Sequence, residues 1–553
     1  MRSIYVSKEK PIKPLKINQA NVFYNYSIGF DCLYIDLLKT GAKLLEAGVS
    51  KSIFFSDFKC MYLDSSGKRQ VEIISPEGRQ WDSSWKIKLS DKIPKNIASD
   101  LFNSLEIAFH ENQFQNHSVP YMRASLPPLV IDFEGYHIPL YSSVKIFSNG
   151  LAVLSFQMDQ TWEGLDEGEF ISQVVNIFKC YFKSIWVDSK LQKLDANIVL
   201  INAYQDYFSL GGEPLKSFRI RRLIKKMKNE SRHFLEETLK RDGELFVLDG
   251  FDWALHKIVG TENTDSKEST IEQCRSIYCN SISSLLVTNE SVGSKSPLGY
   301  FWQGRPSISL MRFEEQPSTK GELLNSFANS INRILMRAEN VVSPLDLPID
   351  LRLFNDSSLH LNRATILWTW LKTKDCLDDA WNESNTMSRI YENQARTEHL
   401  EYNNINIARA CSWAQSPINS DYLLTAYEVL ANSEVLVHQS SNAGEVNDAL
   451  SHAIQVFGTA SLVNPSKEAA RFHLDELRYK SDQAKSRSDR WLAVTFGLVG
   501  AASLADFVFH PLVQKVWPSL SNVQSPLISI GISIGIIIFV ALIILLTTNR
   551  KNS

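Results

Sequence analysis

The chain has 553 residues, 44% hydrophobic and 22% charged, which excludes wholesale disorder and leaves room for several packed cores. Lysine plus arginine is 58 against 61 aspartate plus glutamate, a formal net charge of −3. That balance excludes a strongly basic nucleic-acid protein and an acidic solvating tail at whole-chain level.

The seven cysteines are Cys32, Cys60, Cys180, Cys274, Cys279, Cys376 and Cys411, and no two have CxxC spacing. Neither a disulfide framework nor a zinc ribbon is expected, and a reducing compartment fits. The start, MRSIYVSKEK, has no apolar run, so no cleavable secretory signal is expected.

Residues 1–199 read as a β-rich α+β domain. Val71–Ser75 and Trp85–Leu89 read as strands with Pro76-Glu77-Gly78 as a turn between them. Leu129–Phe133, Ile138–Tyr141, Val144–Phe147 and Ala152–Phe156 form a second strand set, broken at Glu134-Gly135 and Asn149-Gly150. Asn-Gly between apolar runs is a hairpin signal. Residues 170–182 then read as helical.

Residues 200–376 read as a mixed α/β domain. A helix over about 218–239 carries Lys216, Arg219, Arg221, Arg222, Lys225, Lys226, Lys228 and Arg232 beside an apolar stripe of Ile220, Leu223, Ile224 and Met227. Its basic face, centred on Arg219, Arg221, Arg222, Lys225 and Lys226, suits an anionic ligand such as a nucleotide, nucleic acid or lipid headgroup. The bland alternative is a solvated face balanced by Glu230, Glu236 and Glu237. Glu244–Leu248 reads as a short strand ending at Asp249. That aspartate, with Glu314 or Glu315, seeds a metal-dependent nuclease reading, although Asp-Gly is also a plain turn. Ser307–Phe313 reads as a strand and Gly321–Leu335 as a helix.

No GxxxxGK[ST], GxGxxG, HExxH or GxSxG occurs, and His438, His452 and His473 share no metal-ligand spacing. No catalytic residue or metal site is therefore assigned, no cofactor is specified, and an enzyme is not expected.

Residues 377–490 read as a helical stalk. Asn464-Pro465-Ser466 is a helix start signal, and residues 466–509 can form one uninterrupted helix. Ala470, Leu474, Leu477, Ser481, Ala484, Ser488 and Trp491 keep a 4-3 spacing along it. Two apolar segments follow, Trp491–Phe509 and Pro526–Thr548, roughly 28 and 34 Å long as helices. They read as a two-helix transmembrane hairpin over 491–549. Lysine and arginine near both ends place the termini in the cytoplasm, on an inner membrane. Ser488, Thr495, Val499, Ala502, Ser503, Asp506 and His510 fall on one arc of the first span and read as pore-lining. Asp506 has an alternative reading as a carboxylate reaching interfacial water.

A soluble α+β region, a helical stalk, one long helix into the membrane and a second span resemble the CorA-like cation transporter superfamily. The residues that carry the resemblance are Ser466–Pro511, including KSDQAKSRSDRWLAVTFGLVGAASLADFVFHP, and Pro526–Lys551. The resemblance implies a homopentameric ion channel or transporter with metal cations as permeant ions and the lipid bilayer as partner. It also implies a basic collar at Lys480, Lys485, Arg487 and Arg490. The family's magnesium signature, Gly-Met-Asn, is absent; Leu504-Ala505-Asp506-Phe507 stands in its place. Members without it resemble nucleotide-gated membrane effectors of antiviral defence, an alternative function in which the ligand is a nucleotide.

Overall fold

The computed structural model describes residues 14–199 apart from 78–85, 90–91, 117–118, 134, 183 and 197. It also describes scattered positions in 222–233, then 245–247, 253–258, 269–288, 299–338, 347–372, 383–504, 508–518, 524–533, 535 and 539. The chain forms two compact units, 1–468 and 469–553.

The first unit is built on a 13-stranded sheet. Its long strands are β1 (Lys16–Phe30), β7 (Tyr121–Phe133), β8 (Tyr136–Phe147), β9 (Leu151–Asp166) and β15 (Tyr300–Phe313). Shorter strands complete it: β2 (Ser52–Phe55), β3 (Lys59–Leu63), β4 (Arg69–Ile73), β11 (Ile185–Asp188), β12 (Leu245–Val247), β13 (Ala254–Lys257), β16 (Ser357–Leu361) and β17 (Ile366–Trp370). The order is β12-β13-β11-β7-β8-β9-β1-β15-β17-β16, and β2, β3 and β4 branch from β7. Only β15–β17 is parallel among these pairs. One sheet thus takes strands from both the 1–199 and 200–376 stretches.

The hairpin at Asn149-Gly150 forms as its sequence dictates. The strand before Glu134 is longer than its apolar run, because it continues back through Pro127-Pro128. A register shift between Leu126 and Leu129 accommodates the two missing N–H groups. Pro76 and Glu77 lie in a small strand, β5 (Ser75–Glu77), paired with β6 (Lys86–Lys88), and not in a turn. Residues 170–182 hold a π-helical turn (Phe170–Val175), a 3-10 turn (Ile177–Lys179) and the start of β10 (Tyr181–Phe182), not one helix.

The two faces of the sheet differ chemically. Along β1, Val22, Tyr24, Tyr26, Ile28 and Phe30 alternate onto one face and join the main apolar core. That face is covered by α1 (Leu37–Glu46), α3 (Ile271–Leu285) and α4 (Lys320–Met336), through residues such as Leu44, Tyr278 and Phe327. The other residues of β1, Asn21, Phe23, Asn25 and Ser27, are equally buried but mostly polar. They meet α2 (Lys95–Phe114) and α5 (Glu383–Gln415), with α6 (Ser420–Ala431), α7 (Ser433–Gln439) and α8 (Gly444–Val456) completing that layer.

This corrects the expected stalk. Helix α5 packs against β1, β9 and β15, so it covers the sheet instead of rising from it. The fold is an α/β body with a large mixed sheet, not an α+β region on a stalk.

The membrane expectation is corrected as well. Helix α9 (Ala460–Leu504) starts before the Asn464-Pro465-Ser466 signal and keeps Pro465 inside; residues 505–507 lie outside the described residues. Helix α10 comprises His510–Val516. Among the described residues no helix is long and apolar enough to cross a membrane. The CorA-like transmembrane hairpin, the membrane-protein and ion-channel classes, and the inner-membrane location are therefore withdrawn. Most of the expected second span, Pro526–Thr548, lies outside the described residues.

The second unit contains the rest of α9, α10 and helical residues 524–533. Over 471–489 the described side chains of α9 are mostly exposed, and pairs along the helix, such as Glu476–Lys480 at 2.6 Å, support it.

Candidate functional site

The cross-strand register lines up polar residues in rows on the α5 side of the sheet. One row holds Arg123 on β7 opposite Lys145 on β8, then Val153 on β9 and Ser27 on β1. The next holds Ser125, Ser143, Ser155, Asn25 and Arg305. A residue alternation of two on strands and a polar stripe on α5 at 393/394, 397/398, 401 and 404 bring these groups together.

At the centre lie four charges. Arg123 grips Glu398 of α5 with two bonds, Nη1–Oε1 at 3.1 Å and Nη2–Oε2 at 2.5 Å. Its Nη2 also donates to Glu111 of α2 at 3.1 Å. Lys145 donates to Glu111 and sits 3.7 Å from Glu398. All four side chains are at most 6% exposed. Two cations face two anions, so the cluster is neutral. Burial alone would raise the Glu111 carboxyl, but Lys145 and Arg123 hold it down at about 2. Burial lowers the Lys145 ammonium, with Arg123 opposing the charge and Glu111 favouring it.

Hydrogen bonds extend the seam in both directions. Gln394 Nε2 donates to Asn25 Oδ1 at 2.8 Å and to Glu398 Oε1 at 3.2 Å. Ser309 and Asn393 pair at 3.1 Å, and Ser307 and Thr397 at 3.0 Å. Glu401 accepts from Ser27 Oγ and Arg305 Nη1, both at 2.8 Å. Asn404 donates to Gln303 at 2.8 Å and accepts from Thr459 at 2.5 Å, one residue before α9 begins. Arg409 donates to the carbonyls of Phe30, Gly150 and Asn149 at 3.3, 2.9 and 2.9 Å. Burial lowers its guanidinium to about 10.

His399 sits at the edge of the seam. Gln115 donates Nε2–H to Glu111, which fixes its amide, so its 3.2 Å contact makes His399 Nδ1 an acceptor. Nε2 of the neutral ring then donates to Ser440 Oγ at 3.1 Å. Burial pushes the imidazole down to about 4, against the pull of Glu111.

That displacement has a measurable sign. Between about pH 4 and 6.5 the unfolded chain binds a proton at this histidine that the folded chain does not, so stability falls as pH falls through that window. The full displacement corresponds to up to about 3 kcal/mol. Asp100, held up at about 6 by burial against its bonds to Ser52 and Ser125, acts with the opposite sign. The difference between proteins isolates the histidine: His399→Gln is expected to flatten the loss of melting temperature between pH 6.5 and 4. Parallel curves for the two proteins would contradict the assignment.

The residues singled out from sequence are placed elsewhere. Arg222, Lys225 and Lys226 are helical and exposed, with Lys226 Nζ 3.6 Å from Glu230; Arg219 and Arg221 lie outside the described residues. Lys480 pairs with Glu476, and Lys485 and Ser488 are exposed on α9. Arg487, Arg490, Thr495, Val499, Ala502 and Ser503 lie on the backbone of α9, and His510 opens α10. Asp506 and Asp249 lie outside the described residues. Glu314 and Glu315 follow β15 in an exposed turn. Among the described residues no group of three or more His, Cys, Asp and Glu side chains could hold a metal ion.

Sequence reasoning missed the seam because a polar stripe at helical spacing reads as a solvated face. The available signal was β1 itself, where Asn21, Asn25 and Ser27 alternate with aromatic and aliphatic residues inside a long strand. No family model, curated protein or solved structure matches this chain.

Proposed function

We propose that this chain is a ligand-responsive sensor protein rather than an enzyme, and that its moving part is the helical layer led by α5. The observation that carries the reading is the polar seam itself. Opening an apolar seam exposes surface at about 25 cal/mol per Å². Opening a polar, charge-neutral seam returns its groups to water, and each hydrogen bond exchanged is worth only about 0.5–1.5 kcal/mol net. The seam therefore separates at lower cost than an apolar core of the same area, beside the apolar clusters that α2 and α5 form with the sheet through Leu101, Ile405, Ile390 and Tyr391.

The seam also leads somewhere. From Arg123 and Glu398 it runs through Gln394, Glu401 and Arg305 to Asn404 and Thr459, beside the first residue of α9. A shift of α5 would reach that helix start through hydrogen-bonded neighbours. The ligand class we assign is an anion, nucleotides included, met by the exposed Arg222, Lys225 and Lys226. Ion conduction is not part of this reading, since it depended on the membrane hairpin.

Native-state hydrogen exchange on the full chain tests it. The amides of α5 and α8 are expected to open together at lower free energy than those of β1 and β9. Titration with ATP or a cyclic dinucleotide is expected to change the exchange of α5, and Arg222→Glu with Lys225→Glu to abolish that change. Helical layer and sheet exchanging only by joint global unfolding would sink the proposal.

A further inference from the structure

Among the described residues strand β4 (RQVEI) is a free edge of the sheet. Among the described residues β3 is its only partner. The β3–β4 register is continuous from Lys59↔Ile73 to Leu63↔Arg69, without a bulge, and β4 contains no proline. Val71 is 51% exposed and Ile73 68% exposed. Helix α1 stops short of them: it covers Met61, which is 1% exposed, while Val71 opposite Met61 is bare.

The strand is held ready. Asp64 Oδ1 accepts from the Ser66 hydroxyl at 2.6 Å and from the Ser66 and Lys68 amides at 2.9 Å each, and Oδ2 accepts from Gln70 Nε2 at 2.7 Å. These bonds hold the Asp64 carboxyl down at about 2 and fix the turn that feeds β4. A preordered edge loses little further freedom on pairing.

We infer that β4 pairs antiparallel with β4 of a second copy of this chain, joining two sheets across a two-fold axis at Val71. The occupant follows from charge. Antiparallel pairing about Val71 sets each Val71 opposite its copy and Arg69 opposite Ile73. On the other face it brings Lys68 of each copy diagonal to Glu72 of the other, a reach that long side chains cover. The strand is thus complementary to itself in charge; Val71 meets its own copy, and Ile73 lies against the aliphatic stem of Arg69. A two-fold contact of this type closes and does not propagate.

Sedimentation velocity over a concentration series, on the full chain, tests the inference. Wild type is expected to dimerise, and Val71→Lys to weaken the dimer about tenfold or more, because it sets like charges directly opposite. Glu72→Lys and Lys68→Glu are each expected to weaken it alone. Mixed together they should form a heterodimer, since both diagonal pairs then carry opposite charge. Val71→Cys should form an intermolecular disulfide under mild oxidation, because directly opposed antiparallel residues lie about 4.5–5.5 Å apart at Cα, within disulfide reach. Unchanged melting temperatures control for folding. A monomeric wild type, or an oligomer indifferent to these changes with no Val71→Cys cross-link, would overturn it.

Discussion

Glu398→Leu is expected to lower the unfolding free energy of the first unit by about 3–5 kcal/mol, the cost of leaving a buried charge without its partner. In the native protein Arg123 divides its donors between Glu398 and Glu111, and Lys145 has Glu111 as its near carboxylate. Removing Glu398 leaves two buried cations facing one anion. Water cannot compensate, because the side chains of the quartet are at most 6% exposed.

The cluster is two neutral pairs, so the remedy is specific. Arg123→Met in the Glu398→Leu background restores neutrality and leaves Glu111 with Lys145. The double variant should be more stable than the Glu398→Leu single, because a buried pair replaced by apolar groups of similar volume is often neutral. Guanidinium titration of the four proteins, read as a shift in midpoint at constant slope, completes the cycle. Additive losses would show that the pair does not act as a unit. This cost concerns deletion of one partner and is distinct from opening the seam, where both partners reach water.

Much of the body was legible residue by residue. The Asn149-Gly150 hairpin, the strand ending at Phe313 and the helix of Gly321–Leu335 follow from turn chemistry and apolar spacing, and β15 and α4 contain the latter two. The sheet topology was not legible, because β1 joins β15 across hundreds of residues and nothing local specifies that pairing. The seam was hidden for a different reason. Glu398, Glu401 and Arg305 are residue types normally found in water, and only their mutual neutralisation permits burial. The C-terminal apolar runs misled in the reverse direction. Apolar composition is necessary for a spanning helix, but so is length, and among the described residues no helix is both long and apolar enough.

Gly150→Ala is the second large loss, expected at about 2–5 kcal/mol. Two costs combine. Gly150 has φ of +83°, a conformation that strains any residue with a Cβ. An added Cβ would also lie 2.5 Å from the Cys32 carbonyl oxygen and 2.9 Å from Arg409 Nη1. Neither neighbour can yield easily. The Cys32 atom is backbone, and Arg409 is fixed by three carbonyls and by stacking 4.3 Å over Trp413. Gly67→Ala separates the two costs. Gly67 has φ of +76°, but its Cβ would meet nothing within 4 Å, so it carries the conformational strain alone, at about 1 kcal/mol. The difference between the two variants measures how tightly the Cys32 carbonyl and Arg409 together close on the β8–β9 hairpin. Equal losses would mean that both the Cys32 backbone and the guanidinium yield freely, so that Arg409 does not clamp the hairpin. A larger loss for Gly150→Ala, with the tryptophan fluorescence of Trp413 perturbed, would place the clamp at the far end of the polar seam, where α5 is held by a cation on backbone carbonyls instead of by an ion pair.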